Sequence, residues 1–178
     1  MDVLLNTSSL RPPISGIGVY TQNLANRLGC HPDIDSIECF APNRIPFVRT
    51  IPPSVRTSLR RIPFAYELRQ RIFASSFHRK SMLAKRRVYH EPNYVSLPFH
   101  GPVVITVSDL SHIHFPHCHP KKRVAWLDRN LEPSILSCQQ VICHSEFVRD
   151  ELVSCYAIPR DKVNVVYHGV GADFRPSS

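Results

Sequence analysis

Short apolar runs recur along this chain, and most are followed by a stretch long enough for a helix. The runs are DVLL (2–5), SIECFA (36–41), RVYHEPN (87–93), GPVVITVSD (101–109), QVICHS (140–145) and KVNVVYHGV (162–170). They are continuous and rich in β-branched residues rather than alternating with polar ones. That is the pattern of strands buried on both faces. Between them, Val19 to Leu28 repeats apolar residues at helical spacing, Lys121 to Ser137 reads as a helix that Pro133 kinks or restarts, and SEFVRDELVSCY reads as a helix capped by Ser145. Alternation of this kind predicts an α/β fold, with a Rossmann-like parallel sheet and helices on both faces. In such sheets ligands bind in the loops at the carboxyl ends of the strands.

Three stretches fall in those loops. Gly16-Ile17-Gly18 lies between the first strand and a helix, where backbone N–H groups can approach a phosphate. Thr21 stands where a dinucleotide fingerprint needs a third glycine, and the second strand ends in Ala41-Pro42 with no acid for a ribose. The loop therefore reads as ligand-facing or as a tight structural turn, and not as a dinucleotide site. The run TVSDLSHIHFPHCHP (106–120) holds His112, His114, His117, His119 and Cys118. Four histidines within eight residues, punctuated by Pro116 and Pro120, do not converge easily on a tetrahedral metal. A rim loop after a buried strand is the expectation, with no metal. Ser108-Asp109 ends the preceding strand, but no nucleophile elbow surrounds it, so a hydrolase triad is not expected.

Charge adds one constraint. The 178 residues carry a formal net charge of +8, and Arg44 to Arg87 contains twelve Lys or Arg against one acid, Glu67. This Arg/Pro-rich segment, residues 42–87, includes a candidate helix from Tyr66 to Lys85. It can serve an anionic membrane, a nucleic acid or a phosphorylated ligand, or be a solvated face. It lacks the aromatic interleaving of RNA-binding modules. The opening MDVLLNTSS has an apolar run of three residues, too short for a signal peptide, and no later run approaches a membrane span. Six scattered cysteines without a CxxC pair then read as reduced thiols in a cytoplasmic protein, peripheral to the inner face of the membrane if the basic segment docks there.

Four segments in this order, SGIGVYTQNLANRL, HEPNYVSLP, VVITVSDLSHIHFPHCHP and ICHSEFVRDELVSCYAIPRDKVNVVYHGVGADFRP, together resemble the N-terminal half of GT-B glycosyltransferases of family 4. The flavour is that of bacterial mannosyltransferases of polysaccharide assembly. The resemblance implies a retaining enzyme that moves a hexose, such as mannose, from a nucleotide sugar to a glycan or lipid-linked acceptor, without metal or other cofactor. It implies that residues 1–170 form the acceptor-side domain, and that 171–178 begin the crossover to a donor-binding domain with a Glu-x7-Glu region, in cis or as a separate chain. A lone chain is then expected to be inactive.

By the same resemblance, Gly16, Ile17, Gly18, His90, Asn93, His112, Ser145, His168 and Gly169 are expected around donor and acceptor. Ser108-Asp109 takes the place of the family's His-Asp, with the histidine replaced; His112 or His114 would have to supply an imidazole. A hydroxyl cannot take over imidazole acid–base chemistry. The alternative is a non-catalytic basic module for anionic lipid or nucleic acid. For the transferase itself no nucleic acid partner is expected.

Overall fold

In the computed structural model, residues 1–41, 77, 87–171 and 174 are described. β1 (Asp2–Asn6) buries Val3, Leu4 and Leu5 in succession, so both faces of the strand are covered. It lies between β2 (Ser36–Phe40) and β3 (Val88–Glu91), and the sheet continues through β4 (Val103–Thr106) and β5 (Gln140–Cys143) to β6 (Val163–Val165). All five strand pairs are parallel, in the order β2-β1-β3-β4-β5-β6. The expected α/β Rossmann-like sheet is therefore present.

The strand order reverses beside β1. The chain moves one way from β1 to β2 and the other way from β3 to β6. Because parallel crossovers share one hand, α1 (Gly16–Leu28) covers one face. α3 (Lys121–Ser137) and α4 (Glu146–Tyr156) cover the other. Asp128 and Glu132 of α3 both bear on Tyr156 of α4, as neighbouring helices must. Leu127, Leu131 and Ile135 of α3 and Leu152 of α4 bury against Ile105, Val107 and Val141 in one core.

Local signals explain most boundaries. Ser145 is extended (φ −156°) and its hydroxyl accepts from the Val148 N–H at 3.2 Å, which satisfies one orphan donor of α4. Ser145→Ala is expected to cost about 1 kcal/mol in urea unfolding. α3 runs unbroken through Pro133, so the restart there is corrected: burial of Leu131, Ser134 and Ile135 holds the helix on both sides of the missing N–H.

The last strand is shorter than KVNVVYHGV suggests and ends at Val165. The Val166 N–H still reaches Cys143 O, and there the pairing stops. Part of the histidine run is helical rather than loop. α2 (Ser111–His114) and a 3-10 turn at Pro116–Cys118 fold it back onto the start of α3. All six cysteines are free thiols. The basic segment lies outside the described residues except for Phe77 and Arg87. Phe77 is helical and packs its ring 5.0 Å from Tyr89.

Candidate functional site

The strand order reverses between β1 and β3, where such sheets bind ligands, and the residues at the carboxyl ends of these strands are held by two separate networks. Successive residues of β3 point to opposite faces. On one face, Glu91 Oε2 accepts from Asn6 Nδ2 at 2.5 Å and from the Tyr89 hydroxyl at 2.7 Å, while Oε1 accepts from the Asn93 N–H at 3.2 Å. Asn6 Oδ1 in turn accepts from the Ser8 N–H at 2.9 Å. These bonds tie together the loops that leave β1 and β3. Burial pushes the Glu91 carboxyl up to about 7, against the pull of its donors. Asn93 contributes its backbone to this knot.

On the other face, His90 Nε2 lies 2.9 Å from Thr106 Oγ1, which also meets the Tyr20 hydroxyl at 3.3 Å. Burial draws His90 down to about 4, so the ring is neutral at physiological pH. Tyr20 stands one turn along α1 from Gly16 and presents its ring edge to His144 (centroids 5.0 Å apart) and to His168 (5.6 Å). The two imidazoles lie 3.8 Å apart, tilted by 32°. His144 Nδ1 is 3.0 Å from Val166 O. A carbonyl only accepts, so Nδ1 carries the proton and Nε2 of the neutral ring is a lone-pair acceptor. That Nε2 is buried and has no hydrogen-bond partner among the described residues. Burial, and then the neighbouring His144, lower the pKa of His168.

The two glycines of the first loop differ. A Cβ on Gly18 would lie 2.7 Å from Ile14 Cγ2 and 2.9 Å from Ser9 O, so this residue must be small for the loop to close. A Cβ on Gly16 would meet nothing within 4 Å. Gly16 opens α1, with Ser15 as its cap accepting from the Gly18 N–H at 3.3 Å. Space and a helix N-terminus coincide at Gly16, whereas Gly18 is packed and Ile17 leans on the core.

Beyond β4, Asp109 is the hub of the histidine run. It accepts from the Ser111 N–H at 2.9 Å and from the Ser111 hydroxyl at 2.6 Å. Burial opposes its ionisation, but Ser111, the Tyr94 hydroxyl and Arg123 together hold the carboxyl below its usual range. Tyr94 adopts φ 66°, a left-handed conformation that costs a non-glycine residue about 1 kcal/mol. Its N–H donates to Thr106 O at 3.0 Å, and Arg123 lies 5.9 Å from its ring centroid.

The histidines disperse around this hub. His119 Nε2 meets Ser111 Oγ at 2.9 Å, His114 Nε2 pairs with Glu151 Oε1 at 2.5 Å, and His112 is buried. Burial of His112 disfavours its protonation, partly offset by Asp128 and Asp109. The Ser111 hydroxyl has one proton and donates it to Asp109, so it is not an activated nucleophile.

Ser108 is half-buried, two residues beyond Thr106, and makes no hydrogen bond to a described residue. Of the residues picked out from sequence, His90 and His168 join one cluster through Thr106 and Tyr20. Asp109 and His112 belong to the separate hub of the histidine run. The Ser145 hydroxyl is engaged in its cap, and Gly169 is exposed at the chain's exit from the sheet. Tyr20, Thr106, His144, Asn6 and Glu91 were missed. His144 and Asn6 carried a usable signal, since each sits at the carboxyl end of a predicted strand.

An open parallel sheet whose strand order reverses beside β1 defines an α/β domain of the doubly wound class, in which ligands bind outside the carboxyl ends of the strands. Residues 14–174 match the family described as Glycosyltransferase Family 4, and the chain belongs to that family. It is also similar to O-antigen chain mannosyltransferase B of Escherichia coli, at 24% identity over 192 residues covering 100% of this chain and 50% of that protein. The chain thus spans half the length of the curated relative it matches. Among the described residues no helix is long and apolar enough to cross a membrane.

Proposed function

We propose that this chain is the acceptor-side half of a retaining glycosyltransferase. The enzyme transfers a hexose, mannose in the first instance, from a nucleotide sugar to a glycan or lipid-linked acceptor. What carries the reading is the family 4 match along most of the chain, joined to a mannosyltransferase relative of which it covers half. The carboxyl end of the sheet supports it chemically. Gly16 leaves room for a phosphate or sugar at the start of α1. His144 Nε2 is an acceptor suited to a sugar hydroxyl, flanked by the Tyr20 and His168 rings.

In this reading Ser108 faces the transferred sugar as a hydroxyl contact, and Asp109 positions the loop that carries it. His90, kept neutral by burial, is not a proton donor to the leaving group. Helix N-termini and basic side chains stabilise the departing diphosphate, and no metal takes part. The donor domain is supplied in cis or as a separate chain, on the cytoplasmic side of the membrane.

Titration calorimetry with nucleotide sugars and with mannose oligosaccharides tests the division of labour. The chain by itself is expected to bind donor weakly. Tight one-to-one donor binding would overturn the acceptor-side assignment.

A further inference from the structure

The inner face of α3 is apolar, as a packed helix requires, but its outer face is apolar and basic as well. Leu127, Leu131, Ser134 and Ile135 point into the core. At 3.6 residues per turn, the opposite face carries Lys122, Ala125, Trp126, Arg129, Pro133 and Leu136, and every one of them is exposed. Trp126 is 49% exposed and Leu136 56%. A solvent face is ordinarily polar, and two large apolar side chains on one stripe ask for a partner. The first turn of the helix holds Lys121, Lys122 and Arg123 with no acid. Asp128 and Glu132, both exposed, border the stripe on the flank toward Tyr156, with Glu132 one turn before Leu136. In the turn just before the helix, Phe115 is also 55% exposed.

We propose that the outer face of α3 docks on an anionic lipid bilayer, with Trp126 and Leu136 in the interfacial layer and Lys122 and Arg129 on headgroup phosphates. The chemistry favours this occupant over others. An indole and a leucine gain from leaving water, while the long stems of Lys and Arg lie along apolar surface and keep their charged heads at the phosphates. A second copy of the chain would bring one cationic stripe against another on a molecule of formal net charge +8. A neutral glycan offers neither a counter-charge nor a layer for Leu136. This surface is distinct from the basic segment 42–87, and the inference does not depend on the transferase reading.

Trp126 is the single tryptophan of the chain and reports on its own burial. The full chain is mixed with phosphatidylcholine vesicles with and without phosphatidylglycerol. Sedimentation measures binding, and tryptophan emission with quenching by brominated lipid measures insertion. The expected result is binding to the anionic vesicles only, with a blue shift and quenching, lost in molar salt. Lys122→Gln with Arg129→Gln is expected to weaken partition about 30-fold, at roughly five-fold per cation. Trp126→Ala should also weaken sedimentation. All three positions are exposed, and circular dichroism checks the fold of each variant.

Failure to sediment with anionic vesicles overturns the proposal. So does sedimentation with Trp126 emission unchanged, which would assign the contact to another surface. A blue shift that grows with protein concentration and needs no vesicles would make the occupant a second copy.

Discussion

Glu91→Gln is expected to make stability climb by about 3 kcal/mol relative to the parent between pH 4 and pH 7, measured by urea unfolding. The physical origin is a pair of opposed titrations on adjacent residues of β3. The Glu91 carboxyl moves from its ordinary 4.5 to about 7 in the folded chain, chiefly through burial. The folded state then holds a proton that the unfolded state releases. The contribution of Glu91 is full below pH 4.5 and is lost as pH rises to 7. His90 moves from 6.5 to about 4, also through burial. Its contribution is full above pH 6.5 and is lost as pH falls to 4.

At 1.36 kcal/mol per pH unit, each group is worth about 3 kcal/mol across its window. The two slopes cancel in the parent between pH 4.5 and 6.5. Gln does not titrate, so the variant keeps only the His90 slope and its stability rises with pH. The constant cost of turning an amide N–H₂ toward the Asn93 N–H cancels when the two pH values are compared within one variant. A variant-to-parent difference that stays flat with pH would show that Glu91 titrates in the folded chain as it does in the unfolded one. Glu91→Ala should be worse at every pH, by about 3 kcal/mol or more, because Asn6 Nδ2, the Tyr89 hydroxyl and the Asn93 N–H all lose their acceptor.

The second large effect separates two glycines that look equivalent on paper. Gly18→Ala is expected to destabilise by about 2 kcal/mol, since its Cβ would press on the Ser9 carbonyl and the Ile14 side chain. Gly16→Ala is expected to be neutral or to stabilise by up to about 1 kcal/mol, because it adds helix propensity in open space. The binding result should invert. If the N-terminus of α1 faces a phosphate or sugar, Gly16→Ala lowers ligand affinity in the complete enzyme while the fold is untouched. Gly18→Ala lowers affinity only in proportion to the folded fraction. Equal losses of affinity per folded molecule would place neither glycine at the ligand.

Much of this fold was legible because its signals are local. Continuous apolar runs separated by helical periods leave few arrangements other than a covered parallel sheet. The Ser145 cap was readable from a serine followed by an acid at the start of an amphipathic stretch. Where the reading missed, the reason is partnership at a distance. Pro133 sits inside a helix because burial on both sides outweighs a missing hydrogen bond. The histidine run looked like a loop because its folding depends on Asp109, Ser111 and Glu151, which periodicity does not register.

The amino-acid order by itself determined the parallel α/β class, the number and sequence of strands among the described residues, and the family resemblance. These follow from residue types repeated at fixed local spacing. Only the tertiary structure decided what stands at the carboxyl ends of the strands. Asn6 meets Glu91 across 85 residues and Tyr20 meets Thr106 across 86, because β1 neighbours β3 and α1 crosses above them. The same strand order brings His144 against His168 and divides the glycines into one that must be small and one that is free. Local spacing carries no record of strand order, and strand order sets which side chains share a site.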